Sequence, residues 1–571
     1  MLLTPIVLFV ILMILLYVPP VQNFIRKQAT AIASDATGMN ISVERIDLRF
    51  PLNLLVRGVQ VVQSEADAAD VQHPDTLLNL GSLNVSVQAW PLLQGRVEVN
   101  AITLQQVAVN SSNLLEGMHI KGTLGRFFLE SHGIDLKKED AILNNVELSN
   151  THMQVMLADT TETPKDSTET AVNWRIALHN LKLKNVSVDL QMPLDSMALG
   201  ANIGDASIED ANLDLKRQFY GWRRFTLTES AVNYDLGMAA PVEGFDASHI
   251  ALRDIRIGID SVMACGRDMN AIIREFSMYD RSGLTVTSLT GRLFADSTLI
   301  RIPYLQLKTP HSDMDLTAQT YWKLVDIPTT GHLSARFNAN IGKQDVLLFA
   351  GGLPETFKEA YPFRPLVIHA GTEGNLKQMQ ISRFTAELPG AFFLSGGGEL
   401  WNLTDSLTRN GGLDFEMQTQ DLNFLTGLTG VTPDGSIIVP DSMNLVARLG
   451  LDGPQCNAIL KIKEGEGSLG LDAAYNLNTE VYHADLAIDA LQLHHFLPKD
   501  SIYTLTARVT AKGQGVDVAS HKTIARVEAK LDELQYARWN ISGVDLDAGL
   551  KSSVASVHLT SDNALLKMQT E

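Results

Sequence analysis

One arrangement of apolar residues recurs along the chain and limits what it can fold into. Two apolar residues alternate with polar ones, two positions are skipped, and the alternation resumes. It reads Ile41-x-Val43-x-x-Ile46-x-Leu48, then Leu54-x-Val56-x-x-Val59-x-Val61, then Val97-x-Val99-x-x-Ile102-x-Leu104-x-x-Val107-x-Val109. Further copies are Leu181-x-Leu183-x-x-Val186-x-Val188, Ile250-x-Leu252-x-x-Ile255-x-Ile257 and Ile300-x-Ile302-x-x-Leu305-x-Leu307. Period-two alternation gives a strand one apolar and one polar face. An extra residue would exchange those faces unless the backbone absorbs it in a bulge. The skipped pairs are Glu44-Arg45, Arg57-Gly58, Asn100-Ala101, Gln105-Gln106, Lys184-Asn185, Arg253-Asp254 and Pro303-Tyr304. They read as bulges or as two-residue hairpin turns. Most lack the Gly or Asn that such turns favour, which points to bulges.

The expected fold is mainly β. An N-terminal transmembrane helix leads into an elongated, curved, repetitive antiparallel sheet that forms an open trough, with few short helices. Residues 1–18 carry no charged side chain, enough to cross a bilayer core with help from the flanks. A cleavable signal peptide competes with an anchor. Its small-residue sites at Ala29, Ala31 and Ala33 lie beyond Arg26 and Lys27, an unusual layout for cleavage, so an uncleaved anchor over 1–20 is the reading. Arg26 and Lys27 follow the span, which runs against the positive-inside rule for export, although long domains translocate regardless. Residues 21–38 read as a short amphipathic helix with Val21, Phe24, Ile25 and Ile32 apolar and Gly38 as its stop. A first β-groove stretch covers 39–330, with polar acidic loops at 63–75 and 158–170.

Residues 331–571 read as repeated groove units of about 70–75 residues, in which an alternating strand runs into a leucine-rich connector. The copies are 337–354, 415–429 and 486–498, and their matching Leu353, Leu428 and Leu497 stand 75 and 69 residues apart. Each unit is expected to hold about five or more strands.

The net charge is −19, with no basic patch to displace counterions from phosphates, which excludes nucleic acid as a partner. Cys265 and Cys456 form no metal or disulfide pattern; they read as small apolar residues, with one long-range bridge as the alternative. Gly465-Glu-Gly467-Ser-Leu-Gly470 matches a dinucleotide fingerprint, but alternating strand follows it where a helix is required. Gly396-Gly397-Gly398 reads as a bulge or bend in a sheet, since no nucleophile elbow accompanies it. His494-His495 has no metal-site partners in sequence. Phe219 to Arg224 (FYGWRR) reads as a lipid-headgroup contact or as a loop packing on its own sheet. No constellation supports acid–base or nucleophilic catalysis, so the chain is not expected to be an enzyme or to hold a cofactor or metal.

A one-faced sheet must cover its apolar side. Helices are too few here, and an aromatic content of 6% does not suggest discrete sandwich cores. An open trough lined by Val, Leu and Ile remains. Acyl chains suit such a lining, at roughly 0.8 kcal/mol per buried methylene. The candidate lining residues are Val97, Val99, Ile102, Leu104, Leu181, Leu183, Val186, Val188, Ile250, Leu252, Ile255, Ile257, Ile300 and Ile302.

The apolar start, GMNISVERIDLRFPLNLLVRGVQVV (38–62) and LNVSVQAWPLLQGRVEVNAITLQQVAV (83–109) together resemble the AsmA-like superfamily, closest to the amino-terminal part of its TamB-like members. Pro-Leu-Leu-x-Gly-Arg-Val-Glu-Val at 91–99 is the most specific piece. The resemblance implies an inner-membrane protein of Gram-negative bacteria, single-pass, with most of the chain in the periplasm. It implies a hydrophobic β-groove that moves phospholipids toward the outer membrane. The alternative it implies is a scaffold or chaperone within a translocation and assembly module for outer-membrane or secreted proteins. Expected partners are phospholipid acyl chains, the inner membrane and an outer-membrane assembly barrel. TamB-like chains are usually longer and end in a domain that meets the barrel. This sequence stops at Glu571 in what reads as mid-repeat, either a fragment truncated before that domain or a shorter relative.

Overall fold

The computed structural model describes residues 19–37, 39–49, 53–62, 76–88, 99–111, 118–135, 138–157, 173–429, 435–517, 520–563 and 567–570. Residues 1–18 of the anchor expected at 1–20, Val97, Gly38 and the expected acidic loops 63–75 and 158–170 lie outside the described residues. Mainly β structure is present, in two units that divide between Asp296 and Ser297, earlier than the change expected at 330. Among the described residues, no helix is long and apolar enough to cross a membrane.

Unit 1 opens with helix α1 (Pro19–Thr37). Its strands are β1 (Asn40–Arg49), β2 (Asn53–Val62), β3 (Thr76–Val87), β4 (Val99–Asn110), β5 (Met118–Asp135), β6 (Asp140–Leu157), β7 (Arg175–Met192), β8 (Met197–Asp214), β9 (Phe219–Leu236), β10 (His249–Cys265), β11 (Asp268–Asp280), β12 (Thr285–Val286) and β13 (Ser288–Ala295). Each strand from β1 to β11 pairs with the next in sequence, and every pair is antiparallel except one. β6 and β7 run parallel, in register from Asp140 opposite Arg175 to Met156 opposite Gln191. This corrects the all-antiparallel expectation. A parallel pair needs a crossover rather than a tight turn, and 17 residues separate these two strands.

All seven skipped pairs stand inside strands, so none is a hairpin turn. Most belong to one feature. The ladder lapses at the same level on ten consecutive strands, at Glu44, Gly58, Gly81, Gln106, Gly125, Asn150, Asn185, Gly204, Glu229 and Asp254. Gly58, Gln106, Asn150, Asn185, Glu229 and Asp254 are left-handed there, with φ between 52° and 62°. Because every strand carries its extra residue at one level, all strands exchange faces together and the apolar side stays continuous across the lapse. The line is a crease. Left-handed residues press on glycines of the next strand. A Cβ on Gly204 would stand 2.7 Å from the Cβ of Glu229, and one on Gly125 would stand 2.8 Å from that of Asn150. A second lapse runs through Asn144, His179 and Asp210, six residues from the first on each of their strands.

α1 covers the free edge of β1. Arg26 Nη1 donates to the carbonyls of Val43 and Glu44, each at 3.0 Å, and the Ile41 N–H donates to Ser34 Oγ at 3.1 Å. These backbone groups would otherwise offer a template to another strand. Phe24 is exposed.

Unit 2 contains β14 (Leu299–Lys308), β15 (Asp313–Tyr321), β16 (Leu333–Ile341), β17 (Leu366–Asn375), β18 (Gln378–Leu388), β19 (Phe392–Trp401), β20 (Asn410–Thr419), β21 (Asn444–Asp452), β22 (Gln455–Glu464), β23 (Gly467–Asn476), β24 (Val481–Gln492), β25 (Ile502–Gln514), β26 (Ile524–Tyr536), β27 (Trp539–Ile541), β28 (Val544–Lys551), β29 (Val554–Asp562) and β30 (Lys567–Thr570). They form an antiparallel meander. Among the described residues, three short α-helices join strands: α2 (Trp322–Asp326), α3 (Lys343–Leu348) and α4 (Glu355–Ala360).

The three leucine-rich connectors follow β16, β20 and β24, so the repeat is four strands long rather than five or more. Strands of nine to thirteen residues exceed the ordinary length behind that expectation. The connectors pack along one rim of the sheet. Phe357, Tyr361, Leu388, Ala391, Leu422 and Phe424 form a buried cluster there, and the Phe424 ring stands 5.8 Å from Phe357 and 5.5 Å from Tyr361. Burial raises the Tyr361 phenol above its ordinary pKa. Asp345, also buried, accepts from Thr309 at 2.5 Å and from Ser312, tying α3 to the β14–β15 turn.

Candidate functional site

Side chains directly opposite on neighbouring strands share a face, so the register links the apolar residues of unit 1 into rows. One row is Leu48–Leu54–Val85–Ile102–Leu129–Val146–Leu181–Ile208–Phe225–Ile259–Ile273, spanning β1 to β11. The next is Ile46–Val56–Leu83–Leu104–Phe127–Leu148–Leu183–Ala206–Leu227–Ile257–Phe276. Beyond the crease, a third row contains Val59, Leu80, Val107, Leu124, Thr151, Val186 and Ile203, with Ile255 opposite Ser230 at its end. A fourth contains Val61, Leu78, Val109, Met153, Val188, Ala201, Val232 and Leu252. Ile250 faces Tyr234 in a fifth.

Ten of the fourteen residues singled out from the sequence therefore stand on one face of unit 1. Val99 starts β4 opposite Val87, and Val97 is outside the described residues. Ile300 and Ile302 stand on β14 of unit 2, opposite Thr320 and Ala318. Val186 and Ile255 are buried at 6% and 4% exposure, Val188 is exposed at 37%, and the others are half-buried. Thr151 and Ser230 look misplaced in an aliphatic row. Both hydroxyls turn onto backbone beside the crease. Ser230 donates to the Thr228 carbonyl at 2.9 Å and accepts from the Gly204 N–H at 3.2 Å, a group the lapsed ladder leaves without a strand partner.

The opposite face of unit 1 is charged. Arg223 pairs with Glu209 at 2.7 Å and Asp210 at 2.8 Å, and Arg224 pairs with Asp260 at 3.2 Å. The Arg223 guanidinium, and then His179, hold the Asp210 carboxyl below its usual range. The two arginines of the FYGWRR segment are thus committed to carboxylates, and the whole segment lies in β9. This favours packing on its own sheet over a headgroup contact, and corrects the expected loop to a strand.

Unit 2 has apolar rows of its own. One begins Ile302–Ala318–Ala335–Thr372–Ile381–Gly398–Leu413–Leu449 and continues through Ala458, Ala473, Ala484, Ala511, Val527, Ala548 and Val557. Pro303-Tyr304 faces the single residue Thr317, a bulge that keeps Ile302 and Leu305 on one side. The triple glycine lies in β19, and the bulge beside it sits in the partner strand at Ser382-Arg383. Sequence reading missed the later residues of these rows, because plain alternation without skipped pairs marks them. An apolar cavity of about 500 Å³ opens among them, with Leu413, Leu449, Ala473 and Tyr482 in its walls.

The dinucleotide-like glycines form the β22–β23 turn and the start of β23, with no helix behind them. His494 and His495 occupy a single short turn after β24, and His495 pairs with Glu464 at 2.7 Å. Cys265 and Cys456 are free thiols. Among the described residues, no group of three or more His, Cys, Asp or Glu side chains is placed to hold a metal ion. No protein-family model matches the chain, and no curated protein matches it.

Proposed function

We propose that this protein is a membrane-anchored bridge of the AsmA-like, TamB-like type, carrying phospholipids toward the outer membrane along its apolar β face. The observation that carries the reading is the set of aliphatic rows that cross unit 1 from β1 to β11 without a charged residue. A hydrocarbon chain lying on such rows meets equivalent contacts on every strand. It gains roughly 0.8 kcal/mol for each methylene it buries and can slide between positions of similar energy. The strands beneath already spend their backbone hydrogen bonds on one another, so a polypeptide lying flat on this face would leave its own amides unmet. That favours lipid over the chaperone reading. The apolar start at 1–18 supplies the anchor in this account, and no covalent step is required.

Native mass spectrometry of gently extracted protein tests it. Copurifying phospholipid is the expected result. A lipid-free protein that retains polypeptide would replace this reading with the scaffold.

A further inference from the structure

We propose that the cavity on the apolar face of unit 2 is a seat for one acyl chain, a station where a lipid pauses. The inference rests on the lipid reading above and assigns it a place. The row mixes large and small side chains, with Ala318, Ala335 and Gly398 before Leu413 and Leu449 and an unbroken run of alanines after them, from Ala458 to Ala511. At β22 to β24 the side chains shrink to methyl groups, Ala458, Ala473 and Ala484 standing opposite one another. Leu413 and Leu449 precede them on β20 and β21. The step from leucine to alanine opens a cavity of about 500 Å³, within the range of pockets that hold small ligands.

The far wall is built by backbone design. Tyr482 pairs across the ladder with Gly513 on β25, where a Cβ would stand 2.5 Å from the Tyr482 hydroxyl. The missing side chain lets the phenol ring lie over the neighbouring strand. Three features fix the occupant. No Asp, Glu, Lys or Arg lines the cavity, so a charged headgroup stays outside it. The β22–β23–β24 ladders run through the floor without a register shift. A peptide strand would find no free donor or acceptor there and would strand its own. A hydrocarbon chain has none to strand.

Cys456 lines the same cavity and serves as the reporter. In the full chain carrying Cys265→Ser, the reaction of Cys456 with a thiol reagent is timed with and without oleate. Saturating oleate should slow it tenfold or more. Ala473→Leu, or Ala484→Leu if the first folds poorly, should remove most of that protection by filling the space. An unchanged rate under saturating oleate overturns the seat. So does stronger protection by an apolar decapeptide than by oleate. A photoreactive oleate that labels Ile257 while Cys456 stays unprotected would refute the seat and leave the lipid reading standing. Labelling at neither place would sink both.

Discussion

Replacing Gly204 with alanine tests the crease on which the continuity of the apolar face depends. A Cβ there would stand 2.3 Å from the carbonyl oxygen of Glu229, 2.7 Å from its Cβ and 3.0 Å from its carbonyl carbon. Two of these are backbone atoms of the paired strand, so no side-chain rotation relieves them. The strands must separate by about 1 Å at a spacing of ~4.8 Å, which loosens the flanking ladder bonds. Overpacking of this kind costs about 1–3 kcal/mol, equivalent to a fall in Tm of roughly 3–10 °C. Gly200 on the same strand is the control. Its nearest neighbour would be the free end of the Asp189 side chain at 3.2 Å, and the next atom lies at 3.9 Å. Gly200→Ala should be neutral, or gain up to ~1 kcal/mol from reduced chain entropy. Differential scanning fluorimetry of the full chain, with amide exchange in β8 and β9, reads both variants. If Gly204→Ala proves as mild as Gly200→Ala, the close approach at the crease is wrong.

Three further outcomes follow from the same geometry. Leu183→Asp and Ile257→Asp, each placing a charge in a central row, should block phospholipid delivery in a vesicle or whole-cell transfer assay while the protein stays membrane-anchored; normal transfer by both would remove those positions from the path. Phe424→Ala should cost about 3–5 kcal/mol, read as a lower urea midpoint for unit 2, because the ring is buried between two other aromatics at the connector rim. Asp210 has a lowered folded pKa, so its stabilising contribution is present above the ordinary carboxylate value near ~3.9 and is lost as pH falls through the folded value. Unit 1 should therefore weaken below about pH 4, and Asp210→Asn should flatten that limb of the urea midpoint against pH.

The face of the sheet was legible in the sequence because aliphatic spacing is set by parity, and parity survives any fold that buries one side. The same holds for Lys184-Asn185 as an interruption within a strand. What the pair did not reveal is that its partners on nine other strands lapse at the same level. Alignment across a sheet depends on register, and register is fixed by pairings between residues far apart in sequence. The left-handed Gln106 and Glu229 were equally hidden, since local preference favours Gly or Asn at such φ and the paired Gly81 and Gly204 sit on other strands. The parallel β6–β7 pair escaped notice because strand direction leaves no mark on alternation. The connector leucines gave the repeat spacing, but strands longer than usual made five the expected number per repeat where the chain uses four. The row in unit 2 fades from leucine to alanine over β22–β24, so its cavity carries too weak an apolar pattern to be singled out from sequence.

The central claim is that one face of this sheet touches lipid and the other does not. Benzoylphenylalanine placed at Leu183 and Ile257 on the aliphatic rows, and at Lys182 and Arg256 beside them on the charged face, puts it to the test in living cells. Phospholipid adducts at the first two positions and none at the last two is the predicted pattern. Adducts of protein alone, or lipid labelling equal on both faces, would contradict the account.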